Sequence, residues 1–360
     1  MYLNIDQIQS IHIEPTSRCN LLCPKCARTY HGAKAPSLPI ADLEWGAGID
    51  GLFTEKLSRQ LKLVMYCGNY GDPAASPHIC RFLEELLSRG VKFQALYSNG
   101  SLKSPDWWRH LSGLLKNRGQ LIFSIDGLED TNSLYRVNSN WEKIEENLSA
   151  AVGGGCSVRW DFLVFHHNRH QIDDAIALAR KLGVKEFNVK RSARYFHEHP
   201  LPNYDRTTDV RPEEEARIWD EPIAAQDLRD KKSFERYVRS TSVTCKTKHA
   251  EPSIYIDFQG AVWPCCWLPA AQYTVGDDIQ KSQFDTLLDR YDPGFNSIIK
   301  HHIGEILSHP FFQSDLERFW LPDDRRLFVC GRTCGEAFEF TSMVGHKNSR
   351  LISLEDVKFS

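Results

Sequence analysis

The sequence lacks a surplus of positive charge, a long apolar run and an amino-terminal targeting segment. Its formal net charge is −3 over 360 residues, so no broad basic field indicates nucleic acid as a partner. No apolar stretch approaches the ~20 residues that span a bilayer. The first six residues, MYLNID, carry neither the basic nor the apolar region of a signal peptide. We therefore expect a cytoplasmic protein that does not bind membranes. The net charge argues against a nucleic-acid partner, although a local basic patch stays open.

Cysteine, by contrast, is plentiful. Hydrophobic residues make up 41% and charged residues 25% of the chain, as in an ordinary globular protein, yet it contains 11 cysteines. In a reducing compartment, clustered cysteines indicate metal binding or catalysis rather than disulfides. Seven of them fall into short-spaced groups: Cys19, Cys23 and Cys26; Cys265 and Cys266; and Cys330 and Cys334.

The first half of the chain alternates short β-rich runs with amphipathic helical stretches. Helical patterns over 77–89, 140–152 and 171–182 separate several of the runs. Such alternation predicts an α/β fold with a parallel sheet, in which ligands gather at the carboxyl ends of the strands. Six strands are too few for a closed eight-stranded barrel, so we expect an open, partial (β/α)6 barrel. The strands are predicted at 11–14, 61–67, 92–97, 121–126, 158–165 and 186–190.

The second half breaks this rhythm. We expect residues 1–200 to form the barrel and the strongly charged segment 201–242 to form a helical connector. Residues 243–342 are predicted to form a small α+β domain, with 343–360 as a tail. Within this domain, runs at 253–257 and 261–264 flank Gly260, which predicts a β-hairpin. A single helix is expected around 303–320.

The first cysteine group follows the first predicted strand directly. Cys19, Cys23 and Cys26 have the spacing C-x3-C-x2-C, which lets one loop ligate three irons of a four-iron cluster. Three ligands leave the fourth iron open for a substrate or cofactor. A zinc site would need a closed tetrahedron, for which His12 and His31 are the nearest additional ligands. From spacing alone, both sites remain open.

The segment EPTSRCNLLCPKC, residues 14–26, strongly resembles the cluster-binding loop of radical S-adenosylmethionine (SAM) enzymes. The resemblance continues for about 170 residues beyond it. GNYGDP, residues 68–73, is similar to the family's Gly-Gly-Glu turn, which binds the SAM amino group. SNG at 98–100 resembles the segment after the third strand, and SIDG at 124–127 with YR at 135–136 resembles the part that holds the SAM ribose and carboxylate.

The resemblance implies a set of cofactor ligands. Cys19, Cys23 and Cys26 would bind a [4Fe-4S] cluster. Two departures from the family pattern affect the SAM pocket: Lys25 stands where an aromatic or apolar residue is usual, and Asp72 where Glu is more typical. The residues implied to contact SAM are Gly71, Asp72, Ser98, Ser124, Asp126 and Arg136.

The later cysteines resemble the SPASM/twitch extension found on a subset of these enzymes. No cysteine occurs between 267 and 329 or after Cys334, so the shortened twitch form with one auxiliary [4Fe-4S] cluster is the better match. The implied ligands are Cys245, Cys265, Cys330 and Cys334. Cys266 remains an alternative to Cys265, and a zinc site holding the hairpin to the carboxyl-terminal segment remains an alternative for the whole set.

The resemblance also implies the chemistry. A reductant such as flavodoxin or ferredoxin would reduce the first cluster, which cleaves SAM to a 5′-deoxyadenosyl radical that takes a hydrogen atom from substrate carbon. The auxiliary cluster would accept a second electron, so we expect oxidation (dehydrogenation) or bond formation in a small molecule or peptide.

Two other functions remain open: a maturase of a ribosomally made peptide or protein side chain, and a metal-stapled binding protein without turnover. No catalytic residue is assigned. Lys190 and Arg191, at the end of the sixth predicted strand, are candidates for binding an anionic substrate.

Overall fold

A single mixed sheet organises the molecule. The computed structural model describes residues 2–24, 26–165, 167–191, 231–275, 279–323, 325–336 and 349–354. Nine strands of these described residues form the large sheet, and Thr29–Tyr30 pairs with Ala33–Lys34 in a separate ribbon. The nine strands are β1 (Ser10–Ile13), β2 (Leu63–Tyr66), β3 (Gln94–Ser98), β4 (Gly119–Ser124), β5 (Ser157–Val164), β6 (Glu186–Arg191), β7 (Ser253–Ile256), β8 (Val262–Trp263) and β9 (Ser349–Ser353).

The first six strands are parallel and lie side by side in chain order. Each matches a strand predicted from sequence to within two residues at either end. Two consecutive strands can be parallel only if the chain crosses back between them, and this crossover usually contains a helix. Helices accordingly follow the strands along the chain. The partial α/β barrel predicted from the sequence is confirmed.

Helices cover the outer side of this sheet. In the helix Ile79–Ser88, for example, Ile79, Phe82, Leu83 and Leu86 form the buried stripe. In the helix Pro105–Leu115, Ser104 is the cap and accepts a hydrogen bond from the Trp107 amide, with Pro105 in the first turn. The helices are α1 (Ala47–Leu52), α2 (Glu55–Gln60), α3 (Ile79–Ser88), α4 (Pro105–Leu115), α5 (Asn132–Tyr135), α6 (Trp141–Gly153), α7 (Ile172–Lys181), α8 (Lys231–Ser240), α9 (Lys246–His249), α10 (Ile279–Leu288), α11 (Ile303–Ser308), α12 (Leu316–Arg318) and α13 (Phe328–Cys334).

The opposite side, which we call the inner face, is polar. Successive strand residues point to opposite sides of a sheet. Outward residues such as Ile11, Trp160 and Phe187 belong to the hydrophobic core shared with the helices. Their neighbours on the inner face carry polar or ionisable groups: His12, Tyr97, Arg159, Asp161, Asn188 and Lys190.

The carboxyl-terminal hairpin is a continuation of this sheet. β7 pairs in parallel with β1, with Ser10 opposite Ser253, and β8 pairs antiparallel with β7. Gly260, at φ +79°, makes the turn between them. The sequence predicts the hairpin but not its attachment, because the pairing joins residues about 240 positions apart along the chain.

The prediction of one helix around 303–320 is wrong. The segment contains α11, a π-helical turn over Phe311–Asp315, and α12. His309, in extended conformation, caps α11 and is followed by Pro310. Proline has no amide hydrogen and disfavours helical geometry in the residue before it, which explains the break.

Two other sequence predictions fall partly outside the described residues. Of the expected connector, residues 201–230 lie outside them, and α8 follows. Within the expected tail, β9 adds antiparallel to β6 at the sheet edge. Over the described part of the chain, no helix has the length and apolar character required to cross a membrane.

Candidate metal centres

The first cysteine loop directly follows β1 at the carboxyl end of that strand. Cys19, Cys23 and Cys26 all pack in one small apolar cluster with Leu21, Tyr135 and Phe165. The Cys26 amide donates to the Cys23 carbonyl at 3.0 Å. The fold thus brings the three predicted thiols together against a shared wall.

Arg28, which the sequence analysis did not single out, holds the loop through hydrogen bonds to its backbone. Its side chain is 7% exposed, and its guanidinium donates to the backbone carbonyls of Ser17, Cys19 and Tyr70. A fork of N–H donors can bind several carbonyls at once. Arg28 therefore fixes the loop against the turn that follows β2.

That turn contains the predicted SAM contact Gly71. A Cβ built on Gly71 would lie 1.8 Å from the Thr16 carbonyl oxygen, so only glycine permits this close approach. The amides of Tyr70 and Gly71 donate to the Glu14 carboxyl at 2.6 and 3.1 Å. The structure brings Gly71 to the edge where the cysteine loop lies.

Glu14 is the second residue that the sequence analysis missed. It is fully buried, and its other oxygen accepts a hydrogen bond from the Tyr255 hydroxyl of β7. Burial raises the pKa of Glu14 to about 8, although these hydrogen bonds oppose the shift. Glu14 thereby joins the first cysteine loop, the Gly71 turn and the carboxyl-terminal hairpin.

Asp72 also lies at this edge, but its carboxylate is occupied by internal donors. Its oxygens accept from Ser98 Oγ at 2.9 Å, from Asn99 N at 2.7 Å and Nδ2 at 2.6 Å, and from Ala74 N at 2.9 Å. A carboxylate offers about four lone-pair sites. In this arrangement Asp72 ties the turn to the segment after β3, and the predicted contact Ser98 is one of its donors.

Asp126 and Arg136 form a buried ion pair at the next strand end. Asp126 Oδ2 accepts from Arg136 Nε at 2.6 Å, and Oδ1 accepts from the Leu163 amide at 2.7 Å. Burial alone would lower the pKa of Arg136, but the charges of Asp126 and Cys23 raise it above its ordinary value. Ser124 is half-buried at the end of β4. The Asp126–Arg136 pair therefore lies near Cys23 of the thiol loop.

Lys190 points along the inner face. Its ammonium donates to Asp161 Oδ2 at 2.7 Å, and Arg159 Nε donates to the other carboxylate oxygen at 2.8 Å. Of Arg191, the structure describes the backbone in β6 and not the side chain.

The later cysteines converge in a second place. Cys245, Cys265, Cys330 and Cys334 line one cavity, together with Leu268, Leu316, Val329 and other mostly apolar residues. The Thr244 amide donates to the Cys334 carbonyl at 3.1 Å, which joins the two chain segments that supply the thiols. The predicted set of four is brought together.

Cys266 points elsewhere. Cys265 lines the cavity of the second set, and Cys266 is not among the residues that line it. Burial raises the pKa of both thiols; the charges that add to the shift are Cys67 and Glu14 for Cys266, and Cys266, Cys245, Cys330 and Cys334 for Cys265. Asn69 Nδ2 donates to the Cys266 carbonyl at 2.7 Å. Adjacent residues thus serve different faces, and the geometry favours Cys265 over Cys266 as the fourth member.

Tyr2 also belongs to the surroundings of this cavity. Its hydroxyl lies 2.9 Å from Thr247 Oγ1 and 2.8 Å from the carbonyls of Ser253 and Pro264. Thr247 in turn lies 3.4 Å from Cys245 Sγ. Nothing local in the sequence marks Tyr2, since its partners are about 250 residues away.

The thiols of both sets suit a cationic group. Burial raises the pKa of Cys19 to about 12 and that of Cys245 to about 11, with nearby charges adding to each shift. A buried thiolate needs a positive partner, which a metal centre supplies. Among the described residues, no group of three or more His, Cys, Asp or Glu side chains is arranged to hold a single metal ion.

No protein-family profile matches the sequence, and no curated protein matches it either. Solved structures do. The chain aligns with anSMEcpe with bound AdoMet at 14% identity over 90% of this chain and 88% of that one, with a TM-score of 0.51. This neighbour is a radical SAM enzyme. The chain has the radical SAM fold.

Further radical SAM enzymes align less closely. Streptococcus suis SuiB bound to S-adenosylmethionine shows 14% identity over 79% of this chain and 66% of that one, with a TM-score of 0.48. BtrN in complex with AdoMet and 2-DOIA shows 12% identity over 90% and 92%, with a TM-score of 0.44. The chain spans 61% to 66% of the length of the SuiB chains it matches.

The resemblance of residues 14–136 to radical SAM enzymes is thus confirmed for the fold. In this barrel the cysteine loop, the Gly71 turn, the Ser98 segment and the Asp126–Arg136 pair follow β1, β2, β3 and β4 in order. The ends of successive parallel strands form a single edge, where ligands of such sheets bind. The cluster and SAM roles of the individual residues stay predictions.

Proposed function

We propose that this protein is a radical SAM enzyme with an auxiliary iron–sulfur cluster that oxidises its substrate. One observation carries the proposal: the carboxyl edge of the barrel gathers three thiols, a glycine turn without space for a side chain, and a buried Asp126–Arg136 pair. A purely structural metal site would not need the last two.

The chain's own residues have separable tasks at this edge. Cys19, Cys23 and Cys26 would hold the first [4Fe-4S] cluster by three irons. Two side-chain or backbone donors already face Cys19 Sγ: the Leu21 amide at 3.4 Å and Asn99 Nδ2 at 3.9 Å. Hydrogen bonds to cluster sulfurs are among the features that set reduction potentials.

The SAM-contacting residues act by shape and charge. Because the Asp72 carboxylate is occupied by Ser98 and Asn99, its contribution is to position the turn. A backbone carbonyl of the turn would then accept from the SAM ammonium. Arg136, held by Asp126, presents a cation beside Cys23 that suits a carboxylate. Bound cluster and SAM together supply a 5′-deoxyadenosyl radical for hydrogen-atom abstraction.

The second set supports an oxidative outcome. Cys245, Cys265, Cys330 and Cys334 would ligate all four irons of an auxiliary [4Fe-4S] cluster, which leaves no iron open for substrate. A fully ligated cluster in an apolar cavity suits electron transfer. A flavodoxin or ferredoxin would deliver the first electron, and the auxiliary site would accept the electron removed from the substrate.

Anaerobic reconstitution tests this function. We expect about eight irons per chain for two four-iron clusters, and formation of 5′-deoxyadenosine when dithionite and SAM are added. Cys334→Ala should lower the iron content to about half and retain SAM cleavage. Cys80→Ala, a cysteine packed in the helix layer, is the matched control and should leave both unchanged. Tightly bound zinc without SAM cleavage would overturn the proposal.

A further inference from the structure

The inner face carries a cluster of buried polar side chains that lies apart from the residues proposed to bind SAM. Asp161 is 3% exposed and Asn188 4% exposed. Asn188 Nδ2 donates to Asp161 Oδ1 at 3.2 Å, and Arg159 and Lys190 both donate to the same carboxylate. Two cationic side chains thus share one carboxylate.

One acceptor in this group is left without a donor. Asn188 Oδ1 is buried and has no hydrogen-bond partner in the described part of the chain. Exchanging the amide oxygen and nitrogen would place Oδ1 against Asp161 Oδ1, two acceptors together, so the orientation is fixed by Asp161. An unpaired buried acceptor is destabilising, typically by about 1–3 kcal/mol, and a ligand that donates to it would remove this penalty.

The ammonium of Lys190 has donors to spare. Lysine carries three N–H donors, and Asp161 is the partner the structure gives it among the described residues. The charges that face Lys190 are Asp161 from β5 and, beyond β4, Asp126, which is itself paired with Arg136. The ammonium therefore keeps spare N–H donors beside the unpaired acceptor, and the Lys190 side chain is 20% exposed, which suits a ligand that carries both an anion and a donor.

This group also lies near the first cysteine set. Lys190 is the register partner of Leu163, and Leu163 packs against the cluster of Cys19, Cys23 and Cys26. Asp161 lies two residues before Leu163, which is roughly 7 Å along a strand. A ligand held here would lie close to the place where SAM would be cleaved.

We propose that Lys190, Asn188 and Asp161 form the subsite for the substrate that is oxidised, as distinct from SAM. This substrate carries a carboxylate or phosphate next to a hydroxyl or ammonium group. The anion pairs with Lys190, and the neighbouring O–H or N–H donates to Asn188 Oδ1. The subsite rests on the proposed function, because it assigns the substrate class of that site.

Three small probes test the pairing in the reconstituted protein, saturated with SAM, by calorimetric titration. D-Glycerate offers both groups, propionate lacks the hydroxyl, and glycerol lacks the anion. We expect D-glycerate to bind about tenfold more tightly than propionate and glycerol least tightly. Equal affinities for D-glycerate and propionate would overturn the proposal.

Variants separate the two contacts. Asn188→Leu should abolish the preference for D-glycerate over propionate, and Lys190→Met should weaken both by about tenfold. Lys190→Arg keeps the positive charge and should lose less affinity than Lys190→Met. Lys181 is an exposed lysine of α7, so Lys181→Met should leave all three affinities unchanged. An unchanged preference in Asn188→Leu, or, if that variant does not fold, unchanged affinity in Lys190→Met, contradicts the subsite.

SAM itself carries a carboxylate, an ammonium and hydroxyls, so the titration is repeated without SAM. If D-glycerate binds only in the absence of SAM, and Asn188→Leu weakens SAM binding, the subsite belongs to SAM. The proposal that it binds the substrate to be oxidised then fails. SAM cleavage by the wild-type protein leaves the proposed function standing in either case. Absence of cleavage in every variant, wild type included, would instead refute the proposed function.

Discussion

The two cysteine sets have different surroundings. The first lies among polar groups at the strand ends: Asn99 and the Asn69 carbonyl contact its sulfurs, and the charge of Arg136 acts on Cys23. The second lines a cavity whose other walls are mostly apolar, including Leu268, Leu316 and Trp320. A polar edge can bind and orient a charged cofactor, whereas an apolar enclosure suits a centre that exchanges only electrons.

The largest effect should come from the first set. Cys23→Ala removes the middle thiol of the loop, so the first cluster would lose one of its three ligands, and we expect 5′-deoxyadenosine formation to fall by more than about 1000-fold. Product analysis by chromatography measures it. Substantial SAM cleavage by this variant would contradict the assignment of SAM cleavage to the first set, because the second set would then have to support it.

The adjacent pair Cys265 and Cys266 sharpens the comparison further. Cys265→Ala should lower the iron content to about half, while Cys266→Ala should leave it near eight per chain, because Cys265 and not Cys266 is among the residues that line the cavity of the second set. Iron and sulfide determination decides between them. If Cys266→Ala loses iron and Cys265→Ala does not, the ligand assignment must be exchanged.

Glu14, which joins the two regions, should make stability depend on pH. Its folded pKa of about 8 exceeds the ordinary 4.5, so the folded state binds the extra proton and stability falls as pH rises from about 4.5 to 8. The full difference is on the order of 4 kcal/mol. In Glu14→Gln, the fall in unfolding free energy over this range should be much smaller.

Denaturant titrations from pH 5 to 8 measure this dependence. The exposed Glu146→Gln is the control and should retain the wild-type slope. A wild-type slope in Glu14→Gln would show that Glu14 does not take up the proton.

The smallest effect is expected at Tyr2. Tyr2→Phe removes a buried hydroxyl among the carbonyls of Ser253 and Pro264, which should lower the unfolding free energy by about 1 kcal/mol without changing SAM cleavage. Thermal unfolding measures the loss. A loss of iron from this variant would mean that Tyr2 also shapes the second cysteine site.

Local patterns explain what could be predicted. The barrel strands, the glycine turn and the cysteine groups each follow from residues near one another in sequence, since strand and turn signals act over a few positions. Arg28, Glu14 and Tyr2 could not be found in this way. Each acts through contacts that only the folded chain creates, as with Glu14 and Tyr255, 241 residues apart. The break within 303–320 does have a local signal, Pro310 after the extended residue His309.

The pairing of β1 with β7 has a consequence for synthesis. As the chain emerges from the ribosome, one side of β1 keeps its backbone donors and acceptors unpaired until residues 253–256 are available. Unpaired strand edges invite association with other chains, and contacts between distant segments form slowly. The nascent barrel therefore passes through a period in which its first strand is a vulnerable edge, and the hairpin that ends this period also leads into the second cysteine site.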